Sequence, residues 1–315
     1  MYPHRVSVVI PTYNGAPWLA DCLASVFAQS APPAEIIVVN DGSTDGTAQL
    51  LARYEPRVRV VHQRQGGIGA ARNRGVAEAT GDFLAFLDHD DLWLPEKLAR
   101  QIRQLSLDPT LTVSHTDADE FDERGVIHAS YVQLFPGLAE FKDPFASLVD
   151  FQVPLMSTVL VRADFLRRHG LRLVETASGV DDIGLFLEIA ARGGRFGLVP
   201  QQLARRRLHQ NNLSKNHFNR FSRRIALYGE LLDRLPHATA AQRAHLQRGL
   251  RQAHYRVGEW HWGRGEPALA ARHWSEAHGC DALGLRVALY AAAAKLPHGL
   301  IRGLRQWKQR LASGA

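Results

Sequence analysis

Short apolar runs alternate with amphipathic stretches over the N-terminal third of the chain. Each run is followed at once by a polar or glycine-rich loop, and the four runs cover residues 6–10, 35–40, 58–62 and 83–87. Largely apolar runs of this length are typical of strands that are buried on both faces. Because helical patterns lie between them, the sequence predicts a mostly parallel, Rossmann-like sheet with right-handed helical crossovers.

The pattern changes near residue 215. Strand and helix patterns extend to about residue 208, whereas from residue 218 onward the apolar residues recur only at helical spacing. We therefore predict an α/β domain over residues 1–215 and an all-α region over residues 216–315. The first helix is expected to begin at Pro17, with Trp18 on the apolar stripe that continues through Leu19 and Cys22.

The loops that follow the predicted strands contain the candidate chemistry. In parallel sheets of this kind, ligands bind at the carboxyl ends of the strands. The polar and glycine residues in those loops are Tyr13, Asn14, Asp41, Gly66, Gly67 and Asp88. The crevice between these loops is therefore the predicted binding site.

An acidic segment, Asp88-His89-Asp90-Asp91, follows the fourth apolar run. Asp88 and Asp90 are two residues apart, so in an extended segment their side chains point to the same side. Two carboxylates form an oxygen-only site that suits Mg²⁺ or Mn²⁺ better than zinc. The alternative is a solvated acidic turn that caps the helix starting near Pro95, but the position after the fourth strand favours the metal site.

The charge is unevenly distributed along the chain. Residues 1–199 contain 18 Lys and Arg against 25 Asp and Glu, whereas residues 200–315 contain 20 against 6. The net charge of +7 therefore combines an acidic body with a basic C-terminal region, which suggests an anionic partner for that region. No nucleic-acid-binding motif is recognisable there, so nucleic acid is not expected as the partner.

Residues 283–311 alternate apolar and basic positions, which predicts binding to an anionic membrane surface. The alternative is that the helices only pack on the α/β domain or form a homodimer contact. The two cysteines form no disulfide or metal pattern, and no segment resembles a signal peptide or is long enough to span a bilayer. We expect a cytoplasmic protein, with a peripheral location on the inner face of the cell membrane as the alternative.

Five segments, taken in order, resemble the family 2 glycosyltransferases. They are residues 6–15 with Pro-Thr-Tyr-Asn, residues 38–45 (Val-Val-Asn-Asp-Gly-Ser-Thr-Asp), residues 66–75 (Gly-Gly-Ile-Gly-Ala-Ala-Arg-Asn-Arg-Gly), residues 81–93 with Phe-Leu-Asp-His-Asp-Asp-Leu-Trp, and Asp181-Asp182 before an amphipathic helix. Together they cover roughly residues 5–215. The resemblance implies a GT-A fold and an inverting enzyme.

The resemblance also implies the substrates. The enzyme would move a sugar from a nucleoside-diphosphate donor, UDP- or dTDP-linked, to a hydroxyl of a glycan or lipid-linked acceptor, in cell-surface polysaccharide biosynthesis. The donor contacts that it implies are Pro11, Tyr13, Asn14, Asp41, Arg72, Asn73, Asp88, Ser214 and Lys215. The metal ligands that it implies, for Mg²⁺ or Mn²⁺, are Asp88, Asp90 and His209. A non-catalytic nucleotide-sugar-binding scaffold or sensor on the same fold is the alternative.

Asp182 is the predicted catalytic base, and Asp181 the predicted acceptor contact. The family usually has Glu-Asp at this point, whereas this chain has Asp181-Asp182. Two adjacent acids raise each other's pKa towards a range that is useful for proton transfer. Read from the residues alone, both acids could instead cap the following helix, Asp41 could be a turn residue, and residues 209–215 could form an exposed loop. Arg205, Arg206 and Arg207 are read as the entry to that loop or as part of the basic region.

Overall fold

The chain forms two compact units in a computed structural model. The units are Met1–Lys215, the N-terminal unit, and Asn216–Ala315, the C-terminal unit. The structure describes residues 4–150, 153–175, 179–210, 212 and 217–277. Ser214, Lys215 and the segment 283–311, for which donor and membrane contacts are predicted, lie outside the described residues.

One mixed sheet forms the centre of the N-terminal unit. Its strands among the described residues are β1 (Val6–Thr12), β2 (Glu35–Asp41), β3 (Arg59–Gln63), β4 (Phe83–Phe86), β5 (Leu92–Trp93), β6 (Leu111–Asp122), β7 (Gly125–His128), β8 (Leu160–Arg162) and β9 (Arg195–Arg207). The strand order is β3-β2-β1-β4-β8-β6-β9-β5, with β7 beside β6. The first four strands in this order are parallel, and β8 joins β4 to β6 in the antiparallel sense.

Helices flank this sheet and make up the described part of the C-terminal unit. In the N-terminal unit they are α1 (Leu19–Phe27), α2 (Thr47–Leu51), α3 (Ile68–Glu78), α4 (Lys97–Leu107), α5 (Tyr131–Leu134), α6 (Gly137–Glu140), α7 (Pro144–Val149), α8 (Ala163–His169) and α9 (Asp181–Ala191), with a short 3-10 helix at Met156–Thr158. The C-terminal unit has α10 (His217–Arg234), α11 (Ala240–Arg264) and α12 (Pro267–Glu276).

The four apolar runs form β1 to β4. All residues of β1 and β4 are buried, as the largely apolar pattern predicts for strands covered on both faces. Helix α3 lies close against β1 because Gly75 has no side chain, and a Cβ at this position would overlap the side chain of Val9. This close packing places the residues of α3 next to the carboxyl ends of the parallel strands.

The three arginines at residues 205–207 belong to strand β9 rather than to the basic C-terminal region. Strand β9 runs parallel to β6, and Arg205 and Arg206 lie opposite Asp119 and Glu120. Arg205 Nε is 3.0 Å from an Asp119 oxygen, and Arg206 Nη1 is 2.6 Å from Glu120 Oε1. Cross-strand ion pairs of this kind hold the two strands in register. The charges of Arg205 and Arg206 are therefore largely neutralised by strand β6.

The C-terminal unit is helical in its described residues, as predicted. Helix α11 begins at a capping box in which Thr239 and Gln242 bond to each other's backbone, and it ends at Gly265 in the left-handed conformation. Trp274 of α12 is buried against Gly258, where a Cβ would come within 2.5 Å of the indole. Among the described residues, no helix combines the length and the apolar character needed to cross a bilayer.

Candidate active site

The buried side chain of Ser157 holds the acidic segment 88–91 in place through two hydrogen bonds. The backbone N–H of Asp88 donates to Ser157 Oγ at 3.1 Å, and Ser157 Oγ donates to Asp91 Oδ2 at 2.6 Å. The backbone N–H of Arg207 donates to Asp91 Oδ1 at 3.0 Å. Burial, with the nearby charges of Asp90 and Asp88, raises the pKa of Asp91. Asp91 is thus the buried anchor of the segment, whereas the side chains of Asp88 and Asp90 are 29% and 16% exposed.

Arg72 of helix α3 lies between two carboxylates from distant parts of the chain. Its Nη2 donates to Asp88 Oδ1 at 2.5 Å, and its Nη1 donates to Asp181 Oδ2 at 2.6 Å. The side chain is only 4% exposed. Burial alone lowers the pKa of Arg72, but the charges of Asp88 and Asp181 outweigh it, so the pKa is raised above its usual value. The guanidinium therefore stays charged and links the end of β4 to the start of α9.

The two adjacent acids at the start of α9 have different surroundings. Asp181 is 1% exposed, and its carboxylate also accepts a bond from the N–H of Gly179 at 3.1 Å. Asp182 is partly buried, and its Oδ1 accepts a bond from the N–H of Ile183 at 2.8 Å. Burial and the charge of Asp181 raise the pKa of Asp182 to about 6, while Arg72 opposes the shift. Asp182 can therefore gain or lose a proton near neutral pH.

Asp90 has a different partner, the imidazole of His209. His209 Nε2 lies 2.8 Å from Asp90 Oδ2, and Asn212 Nδ2 lies 3.4 Å from the same oxygen. The ring of His209 stacks on Trp18, with the ring centroids 4.2 Å apart. The carboxylate of Asp90 and the imidazole of His209 thus converge at one point beside the crevice.

This donor set suits a divalent ion that is completed by a bound diphosphate. The described residues contain no group of three or more His, Cys, Asp or Glu side chains arranged to hold a metal ion. Magnesium sites, however, commonly use one or two carboxylates with substrate phosphates and water. Asp90 supplies one such carboxylate, with the imidazole of His209 beside it, whereas Asp88 is already bonded to Arg72.

Asn14 joins the loops that follow β1 and β2. It has a left-handed backbone with φ of 51°, which asparagine adopts more readily than most residues. Its N–H donates to Ser43 Oγ at 3.0 Å, and its Oδ1 accepts a bond from the N–H of Thr44 at 2.8 Å. Of its neighbours, Pro11 is buried within β1 and Tyr13 is 40% exposed beside the crevice.

Asp41 holds the glycine turn that opens helix α3. Its Oδ1 accepts bonds from Gln63 Nε2 at 2.7 Å and from the N–H of Gly66 at 2.8 Å, and its Oδ2 accepts a bond from the N–H of Gly67 at 2.8 Å. A carboxylate has about four lone-pair sites, so three bonds leave room for one more donor. The predicted contact with a nucleotide base stays a prediction.

Asn73, beside Arg72 on helix α3, bonds to the segment that leads to α9. Its Nδ2 donates to the carbonyl of Leu173 and its Oδ1 accepts a bond from the N–H of the same residue, both at 2.9 Å. In this structure Asn73 therefore positions a neighbouring segment, and its predicted donor contact stays a prediction.

Taken together, the structure brings Arg72, Asp88 and Asp181 into direct contact and Asp90 next to His209. The sequence pattern does not predict Ser157 and the backbone of Arg207 as anchors of Asp91, or the stacking of Trp18 on His209. These partners are separated by 66 or more positions, and no local pattern links them.

We expect Arg72→Ala to lower the free energy of unfolding by about 3–5 kcal/mol, because it leaves the buried carboxylate of Asp181 without its cation. Arg74→Ala, on the same helix, is the matched control. Its ion pair with Glu78 is half exposed, so its loss should cost less than about 1 kcal/mol. Urea unfolding of both variants measures the difference, and equal losses would contradict the role of the buried ion pair.

Residues 7–156 match the family model described as "Glycosyl transferase family 2". An uncharacterized glycosyltransferase of Rickettsia felis is 31% identical over 191 residues, which are 60% of this chain and 29% of the relative. The putative teichuronic acid biosynthesis glycosyltransferase TuaG of Bacillus subtilis is 43% identical over 101 residues, 31% of this chain and 40% of the relative. The chain thus spans less than half the length of these curated relatives.

Solved structures share the architecture over most of the chain. TarS 1–349 of S. aureus, in complex with UDP-GlcNAc, has a TM-score of 0.69 and 18% identity, and the match covers 97% of this chain and 92% of that one. The mannosyltransferase PcManGT of Pyrobaculum calidifontis, in complex with GDP-Man and Mn²⁺, has a TM-score of 0.61 and 20% identity, with 99% and 86% covered. At this identity the likeness shows the fold, and it confirms the predicted GT-A architecture. The matched segment, just under half of the chain, is similar to glycosyltransferase family 2, and the shared fold agrees with that similarity.

Proposed function

We propose that this chain transfers a sugar from a nucleoside-diphosphate donor to a hydroxyl of a glycan or lipid-linked acceptor. The observation that carries the proposal is Asp182, a carboxyl group with its pKa raised to about 6, placed directly after Asp181 in the ion-paired chain Asp181–Arg72–Asp88. A general base needs a pKa near the working pH and a place in a crevice where substrates can meet. Asp182 meets the first requirement, and its neighbours line the predicted crevice.

The names of similar proteins support the same class of reaction. TuaG is named for teichuronic acid biosynthesis, and the TarS structure contains UDP-GlcNAc. These names favour a UDP-linked donor, with dTDP as the alternative base, and an acceptor in a cell-surface polysaccharide. A lipid-linked acceptor would place the protein at the membrane surface, where the basic charge of residues 216–315 is suited to anionic lipids.

In the proposed mechanism, Asp182 acts as the general base. Its carboxylate accepts the proton of the acceptor hydroxyl while the hydroxyl oxygen forms a bond to the anomeric carbon of the donor. The bond from that carbon to the diphosphate oxygen breaks on the opposite face, and the nucleoside diphosphate leaves with its electron pair. One displacement of this kind inverts the anomeric configuration.

Asp88 and Asp90 serve the donor side of the reaction, whereas Asp181 stays the predicted acceptor contact. Arg72 is paired with Asp88 and Asp181, so these two carboxylates share its positive charge, while Asp182 is left to exchange a proton. Asp90 and His209, with Asp88 beside them, would hold Mg²⁺ or Mn²⁺, which offsets negative charge on the diphosphate as it leaves. Tyr13, exposed at the crevice, is suited to pack on the base or ribose of the donor.

The proposal is tested with the full-length chain, Mn²⁺ and a panel of UDP-, dTDP- and GDP-linked sugars. We expect one donor class to raise the melting temperature, since a ligand at 100 times its Kd stabilises a protein by about 2.7 kcal/mol. The same donor should release nucleoside diphosphate when an acceptor is added, and EDTA should abolish the release. Consumption of no donor, with no thermal shift, would refute the proposal. Binding without turnover would support the scaffold alternative.

Asp182→Asn should abolish sugar transfer while donor binding is retained. The change is nearly isosteric and removes only the ability to accept a proton, whereas the donor contacts lie on other loops. Product formation and donor binding are measured side by side, with Asp164→Asn on the exposed face of α8 as the matched control. Transfer by Asp182→Asn at a rate close to that of the wild type would place the base elsewhere.

The pH dependence of kcat/KM should show an acid limb with its midpoint near pH 6, because the pKa of Asp182 is raised to about 6. Below that pH the carboxyl group is protonated and cannot act as a base, so kcat/KM should fall about tenfold per pH unit.

The stability of the fold depends on the same group in the opposite sense. Because the pKa of Asp182 is raised in the folded state, its protonated form stabilises the fold at low pH, and this contribution is lost as the pH rises through about 6. Asp182 therefore does not itself promote unfolding in acid.

Circular dichroism at each pH separates this limb from acid unfolding. A midpoint close to the ordinary aspartate value of 3.8, with the fold intact, would contradict the assignment of Asp182 as the titrating base.

A further inference from the structure

Trp18 does not pack in the apolar core where the helical pattern placed it. It lies immediately before helix α1 and is partly exposed, whereas Leu19, Cys22, Leu23 and Val26 of the same helix are buried. Its ring stacks on His209 with a centroid separation of 4.2 Å and an angle of 25° between the planes. The ring of His89 lies on Trp18 as well, tilted and 6.1 Å away.

Besides the stack, His209 is held by hydrogen bonds at its backbone and at the tip of its ring. Its backbone N–H donates to Asn212 Oδ1 at 2.6 Å, which places the main chain, and its Nε2 lies 2.8 Å from Asp90 Oδ2. The χ2 torsion of histidine has broad preferences, so a contact on the face of the ring helps to set its plane. The flat face of Trp18 makes such a contact.

Trp18 is in turn held by the loop on the donor side of the crevice. Its backbone N–H donates to the carbonyl of Gly15 at 3.0 Å. That loop also contains Asn14, which bonds to the loop after β2. The stack therefore joins the loop after β1 to the end of β9, two segments that are close only in the folded chain.

We propose that Trp18 is a positioning residue for the divalent ion and the diphosphate: its indole face fixes the imidazole of His209 so that Nε2 and Asp90 Oδ2 are presented together. This inference rests on the proposed function. A ligand pair that is already oriented avoids the cost of ordering the imidazole when the ion binds. Residues that orient a metal ligand change affinity without contacting the ion.

Helix α1 should remain folded without Trp18, because its four buried residues contact the core independently of the indole. Trp18→Leu is therefore a test of positioning rather than of folding. Trp18→Phe keeps an aromatic face for the stack. Phe27→Leu, at the other end of the same helix, removes an aromatic ring that packs on Tyr54 and not on His209, and it is the matched control.

The experiment measures Mn²⁺ affinity in the presence of UDP, by the electron paramagnetic resonance signal of free Mn²⁺. Trp18→Leu should weaken Mn²⁺ binding by about 10–100-fold, the usual effect of losing a residue that orients a metal ligand. Trp18→Phe and Phe27→Leu should stay close to the wild type. In the background of His209→Ala, Trp18→Leu should cause no further loss, because the two residues act through one interaction. Circular dichroism confirms that each variant is folded.

Three results would overturn the inference, and they are distinguishable. If wild-type protein binds Mn²⁺ with UDP and Trp18→Leu binds it equally well, Trp18 does not position His209, and the proposed function is unaffected. If wild-type protein does not bind Mn²⁺ with UDP, the metal step of the proposed function fails and this inference fails with it. If Trp18→Leu lowers the Mn²⁺ affinity further in the His209→Ala background, Trp18 does not act through His209 and the inference is refuted.

Discussion

The buried guanidinium of Arg72 is the constraint on which the rest of the site depends. A charge in the interior must be paired, because an unpaired buried ion costs several kcal/mol. Arg72 is paired twice, with Asp88 at the end of β4 and with Asp181 at the start of α9, residues that are 16 and 109 positions away. The end of β4, helix α3 and helix α9 therefore cannot move apart without leaving a buried charge unpaired or exposing it to solvent. The crevice keeps its shape for an electrostatic reason as well as through apolar packing.

Around this constraint, similar carboxylates have separate tasks because their neighbours differ. Asp91 is buried on Ser157 and anchors the acidic segment, whereas Asp90 faces His209. Asp181 forms an ion pair with Arg72, and the charge of Asp181, together with burial, raises the pKa of the adjacent Asp182. The arrangement separates the acids that shape the site from the one that can exchange a proton, and the difference arises from burial and pairing rather than from residue type.

Several residues of the family motifs are structural in the observed fold. Asn14 joins two loops, Asp41 holds the glycine turn before α3, and Asn73 fixes the segment at Leu173. Each of them makes the loops at the carboxyl ends of the strands more rigid, and a rigid loop presents its remaining groups to a ligand at lower entropic cost. A motif residue can therefore support donor binding through the loop it stabilises, whether or not it touches the donor.

The sequence by itself determined the alternation of strands and helices, the position of the acidic segment after the fourth strand, and the change to an all-helical pattern near residue 215. These features depend on local periodicity, which a single segment expresses without its partners. Only the tertiary structure decided that Arg72 is buried between two acids, that Arg205 and Arg206 pair with β6, and that Trp18 leaves the apolar stripe of its helix to stack on His209. Each of these contacts joins residues far apart in the chain or separates neighbours that share a local pattern. Their geometry follows from how the strands and helices pack, which periodicity does not specify.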